Sequence, residues 1–264
     1  MKAALMGIGW LLSSESIRAE NSVIRSITTA PPYRTDGPLV SVIIIAYNEE
    51  SYLPALLSAL PNQTHDNLEI IVVDNMSTDR TVDIAHSMGA TVCFNEEYNL
   101  SRSRNIGAAN SSGDILCFID ADTIPEHIAI ECAVGEIKKG AVLVMPNKCS
   151  TDSHIQSLLR VGSGWALGHP ISIAGVNGQF MCMSREVFDS VSGFDETCLA
   201  QEGCGEDVEL ARDIAAVYDW DRIKLLRTVY AGTSARRQKA EGYVVPQHFQ
   251  QRAIRGSQIE PVSY

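Results

Sequence analysis

Ile115-Leu116-Cys117-Phe118-Ile119 is an unbroken apolar run that stops at Asp120-Ala121-Asp122. Successive residues without a polar face describe a strand covered on both sides, the kind found in parallel sheets flanked by helices. Two earlier runs read the same way. Leu39 to Ile45 leads into Ala46, Tyr47, Asn48 and Glu49, and Leu68 to Val73 stops at Asp74. Helical periodicity separates them, over Glu49 to Leu60 and over Thr78 to Met88, where Gly89 ends the helix. Thr91 to Phe94 reads as a further strand and Ser101 to Asn110 as a helix closed by Gly113. The order β-α-β-α-β-α-β predicts an α/β fold with a mostly parallel central sheet and helices on both faces.

Strand polarity then gathers the chemistry. Ligands of such sheets sit beyond the carboxyl ends of the strands, where Tyr47-Asn48-Glu49, Asp74 and Asp120-Asp122 all fall. After residue 140 the alternation loosens: Ala141 to Met145 reads as a strand, Ile171 to Ser184 is interrupted by glycine, and Glu206 to Val217 reads as a helix. The polar stretch 13–37, with its Pro31-Pro32 and Gly37-Pro38, separates an N-terminal extension (1–37) from the domain (38–230), and 231–264 forms a C-terminal tail.

A chain of 264 residues can bury one substantial core, and 45% hydrophobic with 20% charged residues is the balance of an ordinary globular protein. The net charge of -11 opposes binding driven by release of nucleic-acid counterions, so no nucleic-acid partner is expected. An anionic substrate would need a local cation, either a metal or clustered Arg and Lys. The seven scattered cysteines, mostly within apolar segments, predict reduced core thiols and a cytoplasmic protein. Met1 to Leu12 is apolar but shorter than the ~20 residues that cross a bilayer. It suits a short helix packed on the domain, the alternative being peripheral contact at the cytoplasmic face of a membrane.

Asp120 and Asp122 at a strand end can offer oxygen ligands to Mg²⁺ or Mn²⁺ held against a diphosphate, or can cap a helix over Pro125 to Lys138. Asp74 admits contact with a base or ribose, or an Asx-turn, while Ser77, Thr78 and Asp79 read as helix caps. Arg102 and Arg104 sit in a first helical turn, where backbone N–H groups and guanidinium can face an anion. Glu206-Asp207 opens a helix after Gly203-Cys204-Gly205, which suits an ionised carboxylate acting as a base or simple complementation of the helix dipole. Arg236, Arg237, Arg252 and Arg255 make the tail basic, and His248 is a weak candidate metal ligand.

Together these segments resemble family 2 glycosyltransferases, which have the GT-A (nucleotide-diphospho-sugar transferase) fold. The likeness lies in Leu39 to Glu50, Leu68 to Asp79, Arg104-Asn105-Ile106-Gly107, Gly113-Asp114, Phe118 to Asp122, Asn177-Gly178 to Phe188, Gly193 to Glu196 and Gly205-Glu206-Asp207. It implies a nucleotide-binding half over 38–123, with Ala46, Tyr47, Glu49 and Arg104 around the nucleotide, and an acceptor half over 124–230. By the same resemblance Asp74 would bind the base, Asp122 the metal, Asp120 the ribose or metal, and Asp207 would be the catalytic base with Glu206 beside it. The implied donor is a UDP- or GDP-sugar, the cofactor Mn or Mg, and the acceptor a glycan, a lipid-linked or a small hydroxyl compound. Inverting displacement is implied, although related GT-A enzymes retain configuration. Val191-Ser192-Gly193-Phe194 departs from the two glycines that often precede this Phe.

Phe118 to Ile124 also resembles the first motif of haloacid-dehalogenase-type phosphatases, with Asp120 as nucleophile and Asp122 as general acid. That motif normally ends the first strand of its domain, whereas three strands precede it here. A non-catalytic sugar-nucleotide-binding domain on the same fold is the other alternative. A nucleotidyltransferase would need a Gly-rich, Lys-containing loop where Tyr47-Asn48-Glu49 stands.

Overall fold

A computed structural model describes residues 37–150, 176, 178–198 and 205–234. The N-terminal extension, Asn177, Cys204, the arginines of the tail and His248 lie outside the described residues.

Eight strands form one sheet in the order β3-β2-β1-β4-β7-β6-β8-β5. In chain order they are β1 (Val40–Ala46), β2 (Leu68–Asp74), β3 (Thr91–Phe94), β4 (Ile115–Asp120), β5 (Thr123–Pro125), β6 (Leu143–Ser150), β7 (Phe180–Ser184) and β8 (Ile223–Thr233). The helices are α1 (Leu53–Ala59), α2 (Thr81–Ser87), α3 (Leu100–Ala109), α4 (Ala129–Lys138), α5 (Arg185–Ser190) and α6 (Glu206–Tyr218). β1 pairs in parallel with β2 and β4, β2 with β3, and β6 with β8. β7 runs antiparallel to β4 and β6, and β5 antiparallel to β8.

The apolar strands are apolar because both faces are covered. Val42, Ile44, Val72, Cys117 and Ile119 meet Leu53, Leu56, Ala85 and Ala133 of α1, α2 and α4 on one face. Ile43, Ile71, Val73, Leu116 and Phe118 meet Ala108, Val187, Leu210 and Ile214 of α3, α5 and α6 on the other. This is an α/β architecture of the expected GT-A kind.

Register sets the positions that matter for the site. Ala46 lies opposite Asp74 and Ile45 opposite Asp120, so the carboxylates of two neighbouring strands end level with the last residues of β1. At the other end of these strands, Glu69 closes the loop before β4. It accepts from Ser41 Oγ at 2.5 Å and from the Ser112 and Gly113 amides at 2.6 and 2.8 Å. Arg185 donates to the carbonyls of Gly113 and Ala108 at 2.9 and 3.1 Å. The loop leaving α3 is thus held through its N–H groups by one residue and through its carbonyls by another, which anchors the helix that carries Arg104.

Three local expectations change. No helix runs from Pro125: Thr123–Pro125 is an edge strand, where β-branched residues fit and a proline without an N–H is tolerated, and α4 starts only at Ala129 with no side-chain cap. Asp120 and Asp122 therefore cap no helix. Ser77 does not cap α2 but accepts from the Asn48 amide at 2.9 Å, while Asn48 Oδ1 accepts from the Thr78 amide at 2.8 Å, stitching together the loops after β1 and β2. Cys198, which lies outside the sheet, is disulfide-bonded, contrary to the expectation of reduced thiols. Cys93, Cys117, Cys132 and Cys182 are free. Among the described residues no helix is long and apolar enough to cross a membrane.

Candidate active site

A cleft of about 260 Å³ opens at the carboxyl ends of β1, β2 and β4. Ala46, Tyr47, Glu49, Arg104, Asp120, Asp122 and Glu206 line it, so most of the residues singled out from the sequence converge there. Arg104 is the hub. It is 3% exposed, and it donates to Glu206 Oε1 at 2.8 Å and to Asp120 Oδ1 at 3.4 Å. Its guanidinium carbon lies 5.2 Å from the centre of the Phe194 ring, which meets Phe118 edge-on. Burial works against the charge on Arg104, but Asp120 and Glu206, with Asp207 behind them, overcome it and raise its pKa. Arg102, by contrast, reaches only exposed Glu97.

Asp207 does not line the cleft but stands directly behind it, at the N-terminus of α6. Its Oδ1 accepts from the Val208 amide at 2.9 Å, and the Gly178 amide also donates to it. A Cβ at Gly178, just ahead of β7, would lie 3.1 Å from the Asp207 Cβ and 3.4 Å from Arg104 Nη2, so any larger residue would make these side chains give by a few tenths of an ångström. Burial and then Glu206 push Asp207 above the usual carboxylate range, against the opposing pull of Arg104 and the two amides. A carboxylate so placed is a better proton acceptor than an exposed one.

Asp74 is buried and also absent from the cleft wall. Its Oδ2 accepts from the Ser77 amide, three residues on, at 3.1 Å, a local turn contact. Its neighbour Asn75 lines the cleft instead, together with Tyr98, whose ring meets Tyr47 edge-on with centroids 5.5 Å apart. Sequence reading passed over both, because an Asn after a strand looks like a turn residue and Tyr98 belongs to no periodic pattern. Thr233, within the predicted tail, ends β8. It pairs with Thr123 and its hydroxyl lies 3.5 Å from Asp122 Oδ1. Ser192, at the departure from two glycines, has φ 63°, a left-handed conformation that glycine reaches at lower cost.

The donor set for a cation is made of oxygen. Among the described residues no three His, Cys, Asp or Glu side chains come together, so the protein offers the carboxylates of Asp122 and Asp120. That fits a hard ion such as Mg²⁺ or Mn²⁺, which keeps its remaining sites for water and phosphate.

Fold and cleft together define a protein of the GT-A class. Residues 41–162, just under half of the chain, match the family model "Glycosyl transferase family 2". A probable glycosyltransferase of Bacillus subtilis, YdaM, is 29% identical over 62% of this chain and 45% of its own length. An uncharacterized glycosyltransferase of Haemophilus influenzae is 56% identical over 17% of this chain and 14% of its own. The chain thus spans less than half the length of these curated relatives. Among solved structures, the mannosyltransferase PcManGT of Pyrobaculum calidifontis, in complex with GDP-Man and Mn²⁺, aligns with TM-score 0.59 and 21% identity over 96% of this chain and 74% of that one. Glucosyl-3-phosphoglycerate synthase of Mycobacterium tuberculosis aligns with TM-score 0.54 and 26% identity over 75% and 72%.

Proposed function

We propose that this protein transfers a sugar from a nucleoside-diphosphate donor to an acceptor hydroxyl, with 38–230 as the transferase domain. The observation that carries the reading is the convergence of Asp120, Asp122, Arg104 and Glu206 on one cleft with Asp207 and Gly178 at its back. Asp122, with Asp120 beside it, would hold Mn²⁺ or Mg²⁺, which when bound supplies positive charge to the leaving diphosphate. Arg104 keeps the acidic residues of the cleft from repelling that anion. Ala46, Tyr47 and Glu49 border the nucleotide, with Asp74 bracing their loop from beneath. Asp207 removes the proton of the acceptor hydroxyl, which attacks the anomeric carbon directly with inversion. Related structures carry donors of both base types, GDP-Man in PcManGT and UDP-GlcNAc in the Staphylococcus aureus enzyme TarS, so a UDP- or GDP-sugar is the donor class. A glycan, lipid-linked or small hydroxyl compound is the acceptor class, met in the cytoplasm or at its membrane face.

Thermal unfolding with UDP-, GDP- and dTDP-sugars, each with and without Mn²⁺, tests this: one donor should raise the melting temperature only when the metal is present. No shift with any of them would end the proposal.

A further inference from the structure

Asn105 commits its whole carboxamide to one short segment. Oδ1 accepts from the Phe194 amide at 3.0 Å, and Nδ2 donates to Phe194 O and to Glu196 Oε1, each at 2.9 Å. Asn99, the residue just before α3, donates through Nδ2 to Glu196 O at 2.8 Å. Residues 194–196, which belong to no helix or strand, are therefore laid along α3 by two asparagines. The fit is close. A Cβ at Gly193 would come within 2.8 Å of both Asn105 Oδ1 and Phe188 Cζ, and the backbone there has φ 74°.

What this grip holds in place is the Phe194 ring. It is 2% exposed and packs with Phe118 and Phe188, their centroids 5.2 and 5.9 Å away. Arg104, the neighbour of Asn105 on α3, lays its guanidinium over the same ring. The edges of a guanidinium carry its five N–H donors, and its faces carry none. Nη1 and Nη2 go to Glu206 and Asp120. An aromatic face can cover the guanidinium plane without blocking those bonds, and its negative potential answers the buried charge. Asn105 thus grips the Phe194 backbone while the Phe194 ring returns to Arg104, which closes a circuit between adjacent residues of α3.

We infer that Phe194, clamped by Asn105, is a positioning residue for Arg104: the ring sets the plane of the guanidinium and so aims its charge at Asp120 and Glu206. This rests on the nucleotide-sugar reading, in which Arg104 keeps the acidic residues of the cleft from repelling a diphosphate. Phe194 lies off the cleft wall, so it would govern the hold on the diphosphate without touching it. A residue that served packing alone would change stability and leave anion affinity where it was.

Calorimetric titration of the full chain with inorganic pyrophosphate, UDP and GDP, with Mn²⁺ present throughout, tests this. Phe194→Leu keeps apolar bulk but removes the ring, and should weaken pyrophosphate about tenfold. Asn105→Ser keeps the ring and removes the clamp, which preserves the test should the leucine variant misfold. It should weaken pyrophosphate about threefold. The decisive comparison is with Arg104→Lys, whose ammonium has no plane to hold. Adding either change to it should alter pyrophosphate affinity by less than about twofold. Parent-like affinity in the single variants, or losses undiminished on top of Arg104→Lys, would overturn the inference alone and leave Phe194 a packing residue. Failure of pyrophosphate, UDP and GDP to bind the unaltered protein would overturn the nucleotide-sugar reading and the inference with it.

Discussion

The Arg104 guanidinium and the Glu206 carboxylate meet at 2.8 Å across 102 positions of sequence, tying α3 to α6, the helix that carries Asp207. With Asp120 on its other nitrogen, Arg104 is the charge that lets Asp120 and Glu206 share one cleft. Removing one partner of a buried ion pair costs about 3–5 kcal/mol. Arg104→Met should lower the melting temperature sharply, and adding Glu206→Gln should restore part of the loss. Additive effects in this double-mutant cycle would show the two side chains to be uncoupled.

Asp207 carries a stability cost as well as its proposed role as the base. Its pKa is raised by burial and by Glu206, so the folded state prefers the protonated acid. Its contribution to stability is fully present below the unfolded pKa and is lost as pH rises through the folded one. Asp207→Asn should therefore melt higher than the parent at neutral pH while losing about 10²–10⁴ in turnover. The acid limb of kcat/KM in the parent should lie above the ordinary carboxylate range. Turnover retained in Asp207→Asn would remove the residue from the chemistry.

Metal dependence separates the two carboxylates of the Asp-x-Asp pair. Asp122→Asn should abolish the Mn²⁺-dependent rise in melting temperature given by the donor, whereas Asp120→Asn, one of whose oxygens already faces Arg104, should weaken it. Equal behaviour of the two variants in a manganese titration would contradict this division.

Gly178→Ala places a methyl group 3.1 Å from the Asp207 Cβ. A displaced base should cost about tenfold to a hundredfold in kcat/KM, with the cooperative unfolding transition preserved. Parent-like kinetics in the alanine variant would mean that the contact is slack.

Glu69 makes an acid-sensitive clasp. Burial raises its pKa, but hydrogen bonds from Ser41, Ser112 and Gly113 outweigh that and leave it lowered. The stability it contributes is present above the unfolded pKa and lost as pH falls through the folded one. Glu69→Gln should melt lower than the parent at neutral pH, and the gap should narrow on acidification. A gap independent of pH would assign the effect to packing.

Much of this was legible in the chain itself. Apolar runs ending at Ala46, Asp74 and Asp120 announced a covered parallel sheet, and polarity alone placed Tyr47, Asp120 and Asp122 on one edge. Which side chains cross the cleft was not legible, because that depends on register and turn conformation. Asp74 and Asn75 are adjacent, yet one turns into the loop and the other lines the cleft. Asp122 resembled a helix cap until Thr123–Pro125 proved to be an edge strand. The proximity of Thr233 to Asp122 spans 111 positions, and nothing in the local sequence marks it.

β7 runs against β4, so it is the lead into that strand, Gly178 and Gln179, that comes to the end of β4 where the cleft opens, and Gln179 O accepts from the Asp120 amide at 3.1 Å. The rim is therefore fed from both directions of the chain. Tyr47, Asn75 and Asp122 follow the exits of three parallel strands, while Gly178, whose amide donates to Asp207, precedes the entrance of an antiparallel one. The cleft is thus bounded by the exits of parallel strands on one side and by the lead into an antiparallel strand on the other, so a change at Gly178 reaches Asp207 without altering the register of β1, β2 and β4.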